Sequence, residues 1–263
     1  MDPRMIREAA ALVDRGVAFA VATVVSAKGS VPGKVGATML VLADGSTRGT
    51  VGGAGLEERV RKLALDALST GAGGVHAFDL ANWKPTGLDS VCGGTVEIAI
   101  SVSAAPPHLL LVGGGHCAHA LAAVADALGW SYTVLDSRAA FANAERFPRA
   151  RETVAGAPSD FVAKADLSRY SHAYVMGHSH HEDVDTLVAL LKAGFPGVVG
   201  VIGSAAKRRS MWERAAARGA REEDLVRVRM PIGVDVGAET PAEIAVSVAA
   251  EIVRDVRQGS GSK

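Results

Sequence analysis

The chain has 263 residues with 28 basic and 28 acidic side chains, and this balance argues against a dedicated nucleic-acid binder. It is 48% hydrophobic, which suffices for two modest domains without staples, and its two cysteines, Cys92 and Cys117, exclude a disulfide framework. The first residues lack a signal-peptide core and no apolar run approaches a membrane span, so the expectation is a cytoplasmic protein without membrane partners.

A first domain is expected over residues 1–102, as a small mixed α+β unit. Arg4 to Val13 reads as an amphipathic helix and Phe19 to Ser26 as a strand. The glycine-rich turn Lys28 to Gly36 separates it from a second strand, Ala37 to Leu42. Asp44-Gly45 supplies a hairpin turn into a short strand at Arg48 to Val51. Leu56 to Leu68 has helical apolar spacing, with Glu57 and Glu58 in the first turn where the helix dipole favours acids. Strands follow at Val75 to Asp79 and Thr95 to Val102. The expected product is a mixed sheet with one long helix. Its three glycine-rich loops, GSVPGKVG, VGGAG and VCGG, form a pocket of backbone donors if they converge.

Ser103 to Pro107 reads as a stiff linker, and a second domain is expected over residues 108–257. Leu109 to Val112 is an apolar strand, Gly113-Gly114-Gly115 a turn, and an alanine-rich helix runs to Leu128. Tyr132 to Leu135 is the next strand and ends at Asp136 and Arg138. Strand, glycine turn, helix, and strand ending in an acid is the opening unit of a Rossmann-like, doubly wound parallel sheet. The fingerprint is G-x-G-x-x-A, with Ala118 in the third glycine's place. The helix-start amides can hold a phosphate without any charged side chain. Phe141 to Arg149 reads as a surface segment and Glu152 to Val154 as a short strand. Further strands at Ala173 to Met176 and Val198 to Ile202 alternate with helices at Val184 to Leu191, Lys207 to Arg218 and Glu222 to Val226. Thr240, Pro241 and Glu243 start a closing helix to Val253 through a capping box.

Chemistry-bearing residues gather after these strands. His178, His180 and His181 follow the strand ending at Met176, where parallel sheets place ligand contacts, and His116 and His119 flank the first glycine turn. Glu182, Asp183 and Asp185 follow closely, and imidazole with carboxylate suits zinc, iron or general acid–base work. No established zinc spacing is present, so a metal site, hydrogen bonding to a ligand and ordinary loop or cap histidines are the competing readings. Ser204 and Lys207 sit at another strand-to-helix turn suited to phosphate, although it is not a Walker loop. Asp235 and Glu239 lie in PIGVDVGAETP, read as a buried loop whose acids need partners. Cys92, between Val91 and two glycines, reads either as an exposed thiol whose surrounding amides favour thiolate or as a small buried side chain, whereas Cys117 begins an apolar helix and reads as packing.

Together these segments resemble the XdhC/CoxI family, accessory proteins of xanthine dehydrogenase and related molybdenum hydroxylases. GSVPGKVGATMLVLADGSTRGTVGGAGLEERV and VCGGTVEI look like its amino-terminal signatures. LLLVGGGHCAHAL, VLDSR, VMGHSHHEDVD, GVIGSAAKR and PIGVDVGAETPAEIAVSVAAEI follow its carboxyl-terminal order. The resemblance implies a homodimer that binds molybdenum cofactor (molybdopterin), presents it to a cysteine desulfurase for sulfuration and delivers it to an apo-hydroxylase. On that account Gly113, Gly115 and His116 stand at the cofactor's phosphate, with Asp136 and Arg138 further along the crevice. His178, His180, Ser204, Lys207, Asp235 and Glu239 match the remaining motif positions, and Cys92 is the implied molybdenum ligand. The chain departs from the pattern at Gly33, where arginine is usual. It departs again at Ala54 and Gly55, where glycine then cysteine are usual, and at Gly177 and Ser179, which replace threonine and aspartate.

A second reading takes the fingerprint literally as an NAD(P)-dependent oxidoreductase. Asp136 would hold the ribose hydroxyl with Arg138 nearby, and His178 or Lys207 would donate the proton.

Overall fold

The computed structural model describes residues 2–80 and 93–258. The chain divides into two compact units between Ala105 and Pro106.

In the first unit, helix α1 (Pro3–Asp14) starts with Pro3 at its first position and with the Asp2 carboxylate accepting from the Arg4 amide. Strands β1 (Phe19–Lys28), β2 (Thr38–Leu42), β3 (Thr47–Gly49), β4 (Gly74–Asp79) and β5 (Thr95–Ser103) form one sheet in the order β3-β2-β1-β5-β4. Every pairing in it is antiparallel, so the sheet is not mixed as expected. The short connections explain this: a hairpin joins β2 to β3, and no strand pair is adjacent through a helical crossover. Helix α2 (Ala54–Thr70) lays Leu56, Val60, Ala64 and Ala67 on the face formed by Ala20, Ala22, Val24, Ile98 and Ile100. The glycine loops do converge, but they leave little space between them. A Cβ on Gly33 would stand 2.2 Å from the Val51 carbonyl oxygen, and one on Gly94 2.4 Å from that of Lys28. Glycine at 33 is therefore required by backbone packing, since an arginine there would push the 51–55 loop away. Cys92 lies outside the described residues.

The second unit is built on five parallel strands: β6 (His108–Val112), β7 (Ser131–Asp136), β8 (Glu152–Ala155), β9 (His172–Val175) and β10 (Val198–Val201). Their order is β10-β9-β6-β7-β8, so the chain winds outward from β6, returns, and winds the other way. β6 is buried along its whole length because both faces are covered. Its alternate residues feed opposite layers. Leu109 and Leu111 meet helices α3 (His116–Leu128) and α8 (Pro241–Gln258). Leu110 and Val112 meet α4 (Pro158–Val162), α5 (His180–Lys192) and α6 (Ala205–Ala217), with the short α7 (Glu222–Leu225) at the margin. This is the doubly wound Rossmann-like sheet expected from the sequence.

The start of α8 follows the sequence reading in detail. The Glu243 amide donates to the Thr240 hydroxyl (3.3 Å), and the Glu243 carboxylate accepts from the Thr240 and Glu239 amides, both at 2.9 Å. These bonds hold the Glu243 carboxyl below its ordinary range. Of the described helices, none is long and apolar enough to cross a membrane.

Candidate phosphate-binding cleft

The reversal of winding falls between β6 and β9, and sheets of this class bind ligands beside the carboxyl ends of strands at that point. The glycine turn after β6 occupies it. Two of its three glycines are consumed by the fold. Gly113 has φ +96° and packs against the chain leaving β9, where a Cβ would stand 2.5 Å from the Met176 carbonyl oxygen. Gly114 donates its amide to Asp136 Oδ2 (2.9 Å) and accepts from Arg146 Nε (2.9 Å). A Cβ there would come within 1.9 Å of the Phe141 carbonyl oxygen. Gly115 differs. It caps α3 in an extended conformation with no side-chain hydrogen bond, and nothing lies within 4 Å of where a Cβ would be. His116, which follows it, is exposed. The open amides thus belong to the start of α3.

Asp136 anchors the turn from below. It is buried; Oδ1 accepts from the Arg138 amide and Nε, both at 2.9 Å, and Oδ2 from Gly114 and from Arg138 Nη2 (3.0 Å). Burial opposes its charge, but these bonds outweigh that and keep the carboxyl below its ordinary 3.8. With both oxygens engaged, Asp136 is not presented to a ribose hydroxyl as the oxidoreductase reading requires. The Arg138 guanidinium in turn stacks 3.6 Å from the Phe141 ring centre. The segment read as surface, Phe141 to Arg149, is instead folded across the glycine turn, with Ala142 and Phe147 buried and Arg146 bonded to Gly114.

Beside this turn Gly113, Asp136, Gly177, His178, Glu182 and Asp183 line a narrow cleft with about 10 Å³ of free volume, room for one water. Asp183 is only 8% exposed, and its Oδ1 accepts from the Gly177 amide (3.0 Å). Burial pushes its carboxyl up to about 6, with the neighbouring Glu182 and Asp136 adding to the rise against the Gly177 amide and His178. A Cβ at residue 177 would lie 2.2 Å from Asp183 Oδ1, so glycine there makes the space for this acid. Ser179 caps α5 by accepting from the Glu182 amide (3.4 Å), and Ser137 Oγ donates to Glu182 (2.9 Å). The sequence offers Asp183 together with Glu182 and Asp185 beside the histidines, without singling it out as the buried acid. The signal is present, because helical spacing puts it in line with the buried Thr186, Leu187 and Leu190.

Other expected residues fall elsewhere. β9 ends at Val175, so His178 and His180 do not share a strand face; His178 lines the cleft and His180 is the first residue of α5. His119 packs edge-on against Phe147, with ring centres 5.6 Å apart. Ser204 and Lys207, at the exposed start of α6, do not line the cleft. Asp235 and Glu239 are exposed, which corrects the buried loop: that segment is pinned through Val234, whose carbonyl accepts from Ser247 Oγ (2.6 Å). Cys117 is half-buried, and burial raises its thiol.

The chain matches the family model described as the XdhC Rossmann domain over residues 109–252 and that of the XdhC and CoxI family over residues 12–79. It belongs to the XdhC and CoxI family. This XdhC-family chain is 34% identical over 247 residues to the protein YqeB of Escherichia coli (strain K12), covering 94% of itself and 45% of that protein. It is 29% identical over 148 residues to a Bacillus subtilis (strain 168) protein named as a probable subunit of xanthine dehydrogenase, covering 56% of itself and 42% of that protein. It therefore spans less than half the length of these curated relatives. A solved structure named as a xanthine dehydrogenase from Bacillus halodurans shares the fold, with a TM-score of 0.52 and 19% identity over 94% of this chain and 95% of that one.

Proposed function

We propose that this XdhC-family protein is a maturation factor for a xanthine dehydrogenase-type molybdenum hydroxylase, one that binds molybdenum cofactor, supports its sulfuration and delivers it to the apoenzyme. The observation that carries the reading is the open, uncapped amide end of α3 at Gly115, set at the point where the sheet reverses its winding. Such an end suits the cofactor's phosphate, because its free amides and the helix dipole both favour an anion. The fit is to that end only. Among the described residues no group of three His, Cys, Asp or Glu side chains is placed to hold a metal ion, and Cys92 remains our proposed molybdenum ligand. When bound, the cofactor would bring its own molybdenum chemistry. The chain's part is to hold the phosphate at Gly115 and His116, with Arg138 and Asp136 stiffening the turn behind them. The name of the Bacillus subtilis relative supports this reading, as does family membership. A homodimer, a cysteine desulfurase partner, a cytoplasmic location and cofactor contacts from His178, His180, Ser204, Lys207, Asp235 and Glu239 belong to the same proposal. The oxidoreductase alternative is the weaker one, since the Asp136 oxygens it needs are already bonded.

The test is anaerobic purification of the full chain, then mass analysis of released ligands and measurement of molybdenum. Phosphorylated pterin with molybdenum is the expected result; a nicotinamide nucleotide without molybdenum refutes the reading. Gly115→Ala should lower pterin retention while leaving thermal stability unchanged, because its Cβ enters open space in an ordinary backbone conformation.

A further inference from the structure

Helix α6 presents seven consecutive exposed residues, Ser204 to Ser210, at the carboxyl edge of the second unit's sheet. It carries Lys207, Arg208, Arg209 and Arg214 against the single acid Glu213, in a chain whose formal charge is zero. Two cations on or just beyond the helix are neutralised locally: Arg209 by Glu213 (3.1 Å) and Arg218 by Asp185 (2.8 Å). Lys207, Arg208 and Arg214 have no ion-pair partner among the described residues; Arg208 donates to the Met230 carbonyl (3.4 Å), which leaves Lys207 and Arg214 as the unpaired cations of one helix face. Lys207, Arg214 and Arg218 recur at a spacing of seven and four, which aligns them on one helix face. That face looks toward the start of α5, where burial and then the charges of Arg214, Lys207 and Arg218 lower the proton affinity of His180. A positive ridge about 17 Å long results, as eleven helical steps rise about 1.5 Å each.

We propose that this ridge, with Lys207 and Arg214 as its unpaired charges and His180 at its side, docks a protein surface rich in aspartate and glutamate. A nucleic acid fits it less well. Backbone binding rests on many phosphate contacts, whereas this ridge offers two free cations, and the helix's one aromatic, Trp212, is half-buried against the core. Exposed charges of this kind speed and orient encounter more than they add affinity. The contact is accordingly brief and salt-sensitive, as a docking step before a handover requires. Lys207 and His180 are shared with the proposed cofactor contacts, so docking is measured with no cofactor present, which keeps its failure distinguishable from a failure of that reading.

The probe is a short fluorescent polyglutamate peptide, titrated into the full chain at low salt and followed by anisotropy. Arg214→Glu, a solvent-facing change, should weaken binding about tenfold by removing an attraction and adding a repulsion. Arg149→Glu makes the same charge change on an exposed arginine elsewhere and should leave binding unaltered. In the natural sequence the His180 titration, read by NMR, should move to higher pH when peptide is present. Equal weakening by both variants, no weakening by Arg214→Glu, or tighter capture of single-stranded DNA of the same length through Arg214 would each overturn the proposal. Thermal melts of both variants check that the fold is retained.

Discussion

Replacing Asp183 by asparagine should stabilise the second unit at alkaline pH and do nothing in acid. The carboxyl is 8% exposed and titrates near 6 in the folded chain against an ordinary 3.8. Above pH 6 the folded state therefore holds a buried anion that the unfolded chain would solvate. A tenfold change in proton affinity corresponds to about 1.4 kcal/mol, so the ionised group costs roughly 3 kcal/mol at pH 8. As pH falls from 6 toward 4 the folded state takes up its proton first, and the cost disappears. Asparagine keeps an oxygen for the Gly177 amide and carries no charge. The expected gain at pH 8 is up to about 3 kcal/mol, or roughly 6–12 °C in melting temperature for a unit of this size. Urea unfolding of both proteins at pH 8, 6 and 4 measures it. The same difference at all three pH values, or a loss at pH 8, would refute the assignment. A carboxyl with raised proton affinity beside the reversal point of the sheet marks a candidate ligand site.

Gly114→Ala should be as disruptive as Gly115→Ala is harmless, because its Cβ would overlap the Phe141 carbonyl; a loss of about 2–3 kcal/mol or more by chemical denaturation is expected. Arg229→Met should cost about 3 kcal/mol, since Glu251 (5% exposed) and Asp255 (13%) lose the cation they share and keep only the more distant Arg254 (3.8 Å) and His172 (3.3 Å); a stability unchanged within error would show that these partners and solvent already compensate the acids.

Much of the architecture was readable from residue order. The alternation of apolar strands with helices announced the parallel sheet, and Thr240-Pro241-Ala242-Glu243 announced the start of α8, because capping is settled within one turn of chain. The glycine turn was legible as a motif, but which of its amides stay open was not. That depends on Asp136 and Phe141, which arrive from over twenty residues away. The antiparallel pairing of the first sheet was likewise hidden, since alternating apolar residues look alike in either direction. So were the partners of His172, which meets Asp255 (3.3 Å) across 83 residues beneath a pair formed by Arg229 and Asp255.

What the sequence determined by itself is therefore the family, the doubly wound sheet and the place of the glycine turn after β6, each carried by local spacing or by a contiguous motif. Only the tertiary structure decided that Asp136 serves the turn, that Asp183 is the cleft's buried acid, and that Asp235 and Glu239 face solvent. Burial and hydrogen bonding between distant segments set those roles, and neither is encoded in the identity of a residue or its immediate neighbours.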